Sequence, residues 1–239
     1  MHKGFILGLL ALIPFATPQA QAALLFDSPE QAVADEPGYA RIYAQRWQRV
    51  LCAEQSQPAF SAQGKGLTPP DAEQWRNIVN KAATSQDADI LRMVNGYFNH
   101  WRPQDTTPDH WASPAEFIAR RGGDCKDYAI AKYFALRFLD VPPDRMRLVI
   151  VRPVSGKGVP EPQLHAVLAV RTAKTWFILD NNARPRHGIT PHTQYRGRFV
   201  PVYSMNENGA WKHCPDPLRP AQYGPDAKRV GSIGDPGKK

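Results

Sequence analysis

Cysteine is scarce in this chain, with Cys52, Cys125 and Cys214 the three present among 239 residues. Three cysteines in an oxidising compartment allow one structural bridge and leave one thiol over, which excludes a disulfide-dense scaffold. Cys52 and Cys214 are the candidate pair, near opposite ends of the folded region, and the alternative is two buried free thiols. Long apolar runs are also missing. The one run, Phe5 to Phe15, is too short to cross a bilayer, and no second follows, so the sequence holds no membrane-spanning segment. A basic stripe with interleaved aromatics is absent: 30 Lys and Arg stand against 22 Asp and Glu, a formal +8, and they are scattered. That pattern gives nucleic-acid binding no support, and solubility explains the charge as well as an acidic or membrane-proximal partner does. Zinc-ligand spacing is missing among His100, His110, His187, His192 and His213, which read as solvated.

What is present begins with a leader. His2 and Lys3 precede the apolar run, and Ala20-Gln21-Ala22 supplies the small residues of a cleavage site. The pattern predicts a signal peptide over residues 1–22, a mature start near Ala23, and a periplasmic or secreted address. No lipobox cysteine follows. The remaining length and a hydrophobic content of 42% suit one well-buried core over residues 23–222. Past Tyr223 the tail is rich in Pro, Gly, Lys and Asp, and is predicted to lack order up to residue 239.

Helical spacing recurs three times. Tyr39, Ile42, Tyr43, Trp47, Val50 and Leu51 predict a helix over 37–53; Pro69-Pro70-Asp71 opens one through Lys81; Ile90, Leu91, Val94 and Phe98 predict one over 87–101. Ser113-Pro114-Ala115-Glu116 reads as N-cap, N1 and acidic first turn of a short helix ending at Gly122-Gly123.

Immediately after comes Gly122-Gly123-Asp124-Cys125-Lys126-Asp127-Tyr128-Ala129, leading a helix to about Leu139 with Tyr128, Ala131, Phe134, Ala135 and Phe138 as its buried stripe. Asp124 is the predicted N-cap, so Cys125 sits in the first turn. Unpaired N–H groups and the helix dipole there favour an anionic sulfur, which a nucleophilic cysteine requires. The two glycines permit a sharp turn and a close approach of backbone to a substrate. Without a base, the same pattern is an ordinary capped helix with an inert cysteine.

A base is available downstream, where residues 147–151, 163–170 and 176–179 read as strands. With the last two folded as a hairpin whose turn centres on Thr172-Ala173, Val170 faces Thr175 and His165 falls opposite Asp180 on one face. A carboxylate on one ring nitrogen fixes the tautomer and leaves the other for Cys125. Alone, each is an ordinary strand histidine or strand-terminating aspartate. Together they predict a Cys125, His165, Asp180 triad for thiol acyl chemistry, with the Cys125 backbone N–H and one further donor as the oxyanion site. Trp111 is a candidate for cleft lining or oxyanion donation, although a tryptophan near a helix start is more often core.

The stretch Gly123 to Tyr133, with His110-Trp111-Ala112-Ser113-Pro114, His165-Ala166-Val167-Leu168, Ile178-Leu179-Asp180 and Pro201 to Asn206, closely resembles the bacterial transglutaminase-like cysteine proteinases. The resemblance implies an α+β fold with a papain-like or transglutaminase-like core, helices first and an antiparallel sheet after. It carries the triad onto the same three residues. It implies a periplasmic endopeptidase that clips a large surface adhesin near its N-terminus and so affects biofilm, with an inner-membrane regulator as a further partner. It implies no cofactor for the chemistry, but calcium bound by carboxylates flanking the nucleophile, here Asp124 and Asp127. Lys126 stands where the family carries glutamate; it removes an oxygen ligand and repels a dication, so calcium binding is expected to be weak or absent. The same lysine is alternatively a stabiliser of the thiolate. Two other readings stand beside the peptidase: a transglutaminase-type acyl transferase with the same acyl-enzyme, and a peptide-binding regulator that has lost catalysis.

Overall fold

The computed structural model describes residues 24–33, 38–107, 110–154 and 163–214. The predicted leader, the start at Ala23, most of the Pro153–Pro162 loop and the tail lie outside the described residues.

Proline and small polar residues set the helix starts. Thr68 precedes Pro69 and Pro70, which need no N–H partner in a first turn, and α2 runs Pro69–Ala82. It follows α1 (Tyr39–Ser56) and precedes α3 (Asp87–Asn99). Ser113 accepts a bond from the Glu116 N–H while the Glu116 carboxylate takes the Ser113 N–H, a reciprocal cap that opens α4 (Pro114–Arg120). Asp124 and Asp127 make the same reciprocal cap on α5 (Cys125–Phe138).

Helix α5 departs from the amphipathic reading. Residues 126–136 are buried all round, because α3 and α4 pack on one side and the sheet on the other. Ala129, Ala131 and Ala135 leave room for that approach. Phe138 is only half-buried, and on α1 Ile42 faces outward.

Among the described residues seven strands form one antiparallel sheet: β1 (Glu30–Ala32), β2 (Met146–Pro153), β3 (His165–Arg171), β4 (Trp176–Leu179), β5 (Thr190–Pro191), β6 (Phe199–Asn206) and β7 (Gly209–His213), in the order β1-β7-β6-β2-β3-β4-β5. A short helix, α6 (His192–Tyr195), links β5 to β6. Leu148, Ile150, Ala166, Leu168 and Val170 meet the helices, while Val149, Val151, Val167 and Ala169 pack on Leu25, Phe26, Trp176, Ile178 and Tyr195 on the opposite face. Burial on both faces explains why β2 and β3 read as continuous apolar runs rather than alternating ones. The β2–β6 register shifts by one residue where Val151 meets Pro201, since proline brings no N–H to the ladder. The architecture is α+β: after the short β1, helices α1 to α5 come before the remaining strands.

The hairpin register differs from the predicted one. Val170 pairs with Phe177 and Leu168 with Leu179, and the turn closes through Thr172 and Thr175, whose backbone bond measures 2.9 Å. The pairing is displaced by two residues, and an even displacement keeps every side chain on its predicted face. His165 and Asp180 are therefore diagonal neighbours rather than direct opposites. Two further expectations are corrected. Cys52, Cys125 and Cys214 are all free thiols: Cys52 is exposed on α1, whereas Cys214 is held at the sheet edge by its N–H bond to the Pro29 carbonyl. His192 and His213 are buried, not solvated. His192 Nδ1 accepts the Phe26 N–H at 3.0 Å, and His213 Nε2 lies 2.9 Å from Ser204 Oγ. Burial first, then the nearby Arg147, pushes His213 down to about 4.

Leu148 is fully buried against the helical layer. Leu148→Ala is expected to lower unfolding free energy by about 2–5 kcal/mol, the range for a cavity in a packed core, read from urea denaturation.

Candidate active site

The chain enters α5 through a bend that only glycine fits. A Cβ on Gly122, whose φ is 156°, would stand 2.1 Å from the Arg102 carbonyl oxygen, and one on Gly123 would stand 2.6 Å from Asp127 Cβ. The close approach is thus to the chain itself, which explains the glycine pair without a substrate.

Asp124 Oδ1 accepts the Lys126 N–H at 3.2 Å, which leaves Cys125 as the first helical residue, half-buried. His165 stands at the first position of β3, and Asp180 directly follows β4. His165 Nε2 lies 2.9 Å from Asp180 Oδ1, and Cys125 stands close enough to the same imidazole to act on its charge, with Nδ1 the ring nitrogen that Asp180 leaves open. The fold brings together all three residues that the sequence proposes as a triad. Burial opposes a charge on the ring, but the hydrogen bond to Asp180 and the negative charge of Asp180 and Cys125 outweigh it and raise His165 to about 9. Burial likewise opposes the Asp180 carboxylate, yet its bonds with His165, the Asn182 N–H (2.8 Å) and the Tyr195 hydroxyl (2.8 Å) lower it to about 2. The arrangement favours a protonated ring against an ionised carboxylate, the form His165 reaches once it holds the thiol proton.

Other residues shape this centre without having been singled out in the sequence. Tyr195 donates to Asp180 Oδ2 and stacks on Phe199 at 4.4 Å, and Phe199 lies 5.9 Å from the His165 ring. No local pattern marks Tyr195. Asn99 Nδ2 donates to the Asp180 carbonyl at 2.9 Å and the Arg186 carbonyl at 2.7 Å, while its Oδ1 accepts from Lys132 Nζ at 2.7 Å. Lys132 is fully buried, and burial pushes it down to about 7 against the pull of Asp180. Its signal was available: a lysine inside the apolar run Ala129 to Leu136, seven residues after Cys125 and hence on the same helix face. Trp111 is core, its ring buried and stacked on Tyr43 at 5.9 Å.

Asp124 and Asp127 do meet beside the nucleophile turn, and their partners test whether they suit calcium. The Lys126 ammonium pairs directly with Asp124 Oδ2 and donates to Thr106 Oγ1 at 2.9 Å. Asp127 Oδ1 accepts the Ala112 N–H at 3.0 Å, and Oδ2 accepts the Asp124 N–H at 3.3 Å. Burial first, then the neighbouring Asp124 charge, raises the Asp127 carboxyl. A hard dication needs six to eight oxygens, whereas here the carboxylate oxygens already hold a tethered ammonium and backbone amides. The residues do not fit calcium.

The family model of the bacterial transglutaminase-like cysteine proteinases matches residues 71–217. Among solved structures, calcium-bound LapG of Legionella pneumophila is 28% identical, with 69% of this chain and 86% of that chain covered and a TM-score of 0.51. EGTA-treated LapG of the same organism is 26% identical over 69% of this chain and 84% of that chain, with a TM-score of 0.50. No curated protein matches. A thiol at a helix N-terminus beside a carboxylate-bound imidazole is the centre on which cysteine peptidases run, and with the family model spanning more than half of its length the chain belongs to the bacterial transglutaminase-like cysteine proteinases.

Proposed function

We propose that this cysteine peptidase cleaves peptide bonds with Cys125 as nucleophile, His165 as acid and base, and Asp180 as the group that orients and charges the imidazole. The imidazole of His165, bonded to Asp180 on one ring nitrogen with Cys125 beside it at the first position of α5, supports this reading. His165 takes the thiol proton, and the sulfur attacks the carbonyl carbon of the scissile bond. The oxyanion takes the Cys125 N–H, one of the first-turn amides with no partner inside the helix, and one further donor. As the tetrahedral intermediate collapses, the C–N bond breaks and the leaving amine receives the proton from His165. Water, deprotonated by the same ring, then attacks the thioester and releases acid and free thiol. The proposed setting is periplasmic or secreted, on the leader pattern. The proposed substrate is a large surface adhesin cut near its N-terminus, with consequences for biofilm and an inner-membrane regulator as partner, on the family resemblance.

Lys126 supports a calcium-independent mode of action, its ammonium serving as the cation between Asp124 and Thr106.

Three outcomes test these statements. Iodoacetamide with mass-spectrometric site assignment at pH 7 is expected to label Cys125 ahead of Cys52 and Cys214. His165→Ala is expected to slow that labelling on the order of a hundredfold, the lower end of general-base contributions, and equal rates in both proteins would sink the assignment. In an NMR titration of the His165 ring the midpoint is expected near about 9. The Asp180→Asn change should move it down, because the carboxylate favours the protonated ring and its removal favours the neutral one. For calcium, melting temperature and Cys125 labelling are expected to be the same in calcium and in EGTA. Lys126→Glu, which restores a third carboxylate, should gain a calcium-dependent rise in melting temperature.

A further inference from the structure

A lysine with no exposed surface is rare unless something specific holds it, and burial of its amine has to be offset by good hydrogen bonds. Lys132 sits two turns along α5 from Cys125, with its Nζ 2.7 Å from Asn99 Oδ1 and 5.7 Å from the centre of the Tyr128 ring. Asn99 projects from the end of α3. Both hydrogens of its Nδ2 are taken by the carbonyls of Asp180 and Arg186, which can only accept, so Oδ1 must face the lysine. The amide therefore has one orientation. Four residues earlier on α3, Asn95 Nδ2 holds the Gly188 carbonyl at 2.8 Å and the Arg186 carbonyl at 3.3 Å. The loop from Asp180 to Gly188 is thus anchored twice, but only Asn99 touches Asp180 itself.

We propose that Lys132 and Asn99 are positioning residues, a buried link from the nucleophile helix to the backbone of Asp180 that sets the carboxylate at bonding distance from His165. The link has a geometric logic. Cys125 and Lys132 share one face of one rigid helix, so Asp180 is located relative to the thiol through α5 and Asn99, independently of the ladder between β3 and β4. That ladder ends at Leu179, one residue short of Asp180, whose side chain is held by the Asn182 amide and the Tyr195 hydroxyl, while its backbone carbonyl takes the Asn99 amide. The lysine's positive charge lies close enough to act on the Asp180 carboxylate as well. The consequence for chemistry follows because a misplacement on the order of 1 Å in a catalytic constellation costs up to about a hundredfold in rate.

The inference rests on the triad reading, and the test separates the two. Two near-isosteric variants are made: Lys132→Met, which removes the donor, and Asn99→Asp, which keeps a partner for the lysine but loses both N–H donors to the Asp180 and Arg186 carbonyls. Folding is followed by circular dichroism and thermal melting. The readouts are the low-field ring N–H resonance of His165 that reports its bond to Asp180, identified by its loss in His165→Ala, and the rate of Cys125 alkylation by iodoacetamide at pH 7. In whichever variant folds, the resonance is expected to shift and the alkylation rate to fall on the order of tenfold or more. A folded variant with the wild-type resonance overturns the proposal, and so does unfolding of both variants, which would assign the pair to the core alone. If wild type and His165→Ala alkylate equally fast, the triad reading fails, while the resonance still decides whether Lys132 and Asn99 place Asp180.

Discussion

Everything else in the molecule follows from the burial of α5 on all sides. A helix with one solvated face can leave its polar side chains to water; a helix packed between other helices and a sheet cannot. Lys126, Asp127 and Lys132 lie on such a helix, and each is answered by a named group: Asp124 and Thr106 for Lys126, the Ala112 and Asp124 amides for Asp127, Asn99 for Lys132. Those partners come from outside the helix except for the cap itself, so burial of α5 organises the loop before α4, the turn into α5 and the end of α3 at once.

The same burial places the chemistry at the one end of the helix where a polar atom is both needed and reachable. First-turn amides have no partner inside the helix, and Cys125 occupies the first position with its side chain half-buried at the start of β3. The sheet contributes rigidity. Both of its faces are covered, so β2 and β3 have no freedom to slide, and His165 at the head of β3 inherits that stiffness. Tyr195 and Phe199 then close the back of the imidazole and its carboxylate, from α6 and the start of β6.

Much of this was legible from local pattern. The Ser113 and Asp124 caps, the proline-led start of α2, the bounds of β4 and the order helices then strands all follow from rules that act over a few residues. The pairing of His165 with Asp180 was legible in parity but not in register, because moving the turn by one residue displaces the pairing by two and leaves the faces unchanged. The β6–β7 hairpin carried a readable signal, the Asn206-Glu207-Asn208-Gly209 turn, that passed without being read as an element. Strands β1 and β5 carried none: they are two or three residues long and exist because a neighbour's edge was available.

The sequence by itself determined the capped turn that carries Cys125, the strand ends that carry His165 and Asp180, and the family, since each of these is written in short runs of residues whose spacing is the physical constraint. Only the tertiary structure decided that Cys52 and Cys214 stay apart, that His192 and His213 are buried, that Thr106 joins Asp124 in holding Lys126, and that Asn99 and Lys132 reach Asp180. Such contacts join groups far apart in the chain, 166 residues for Phe26 and His192 and 81 for Asn99 and Asp180, and their meeting is set by how whole elements pack.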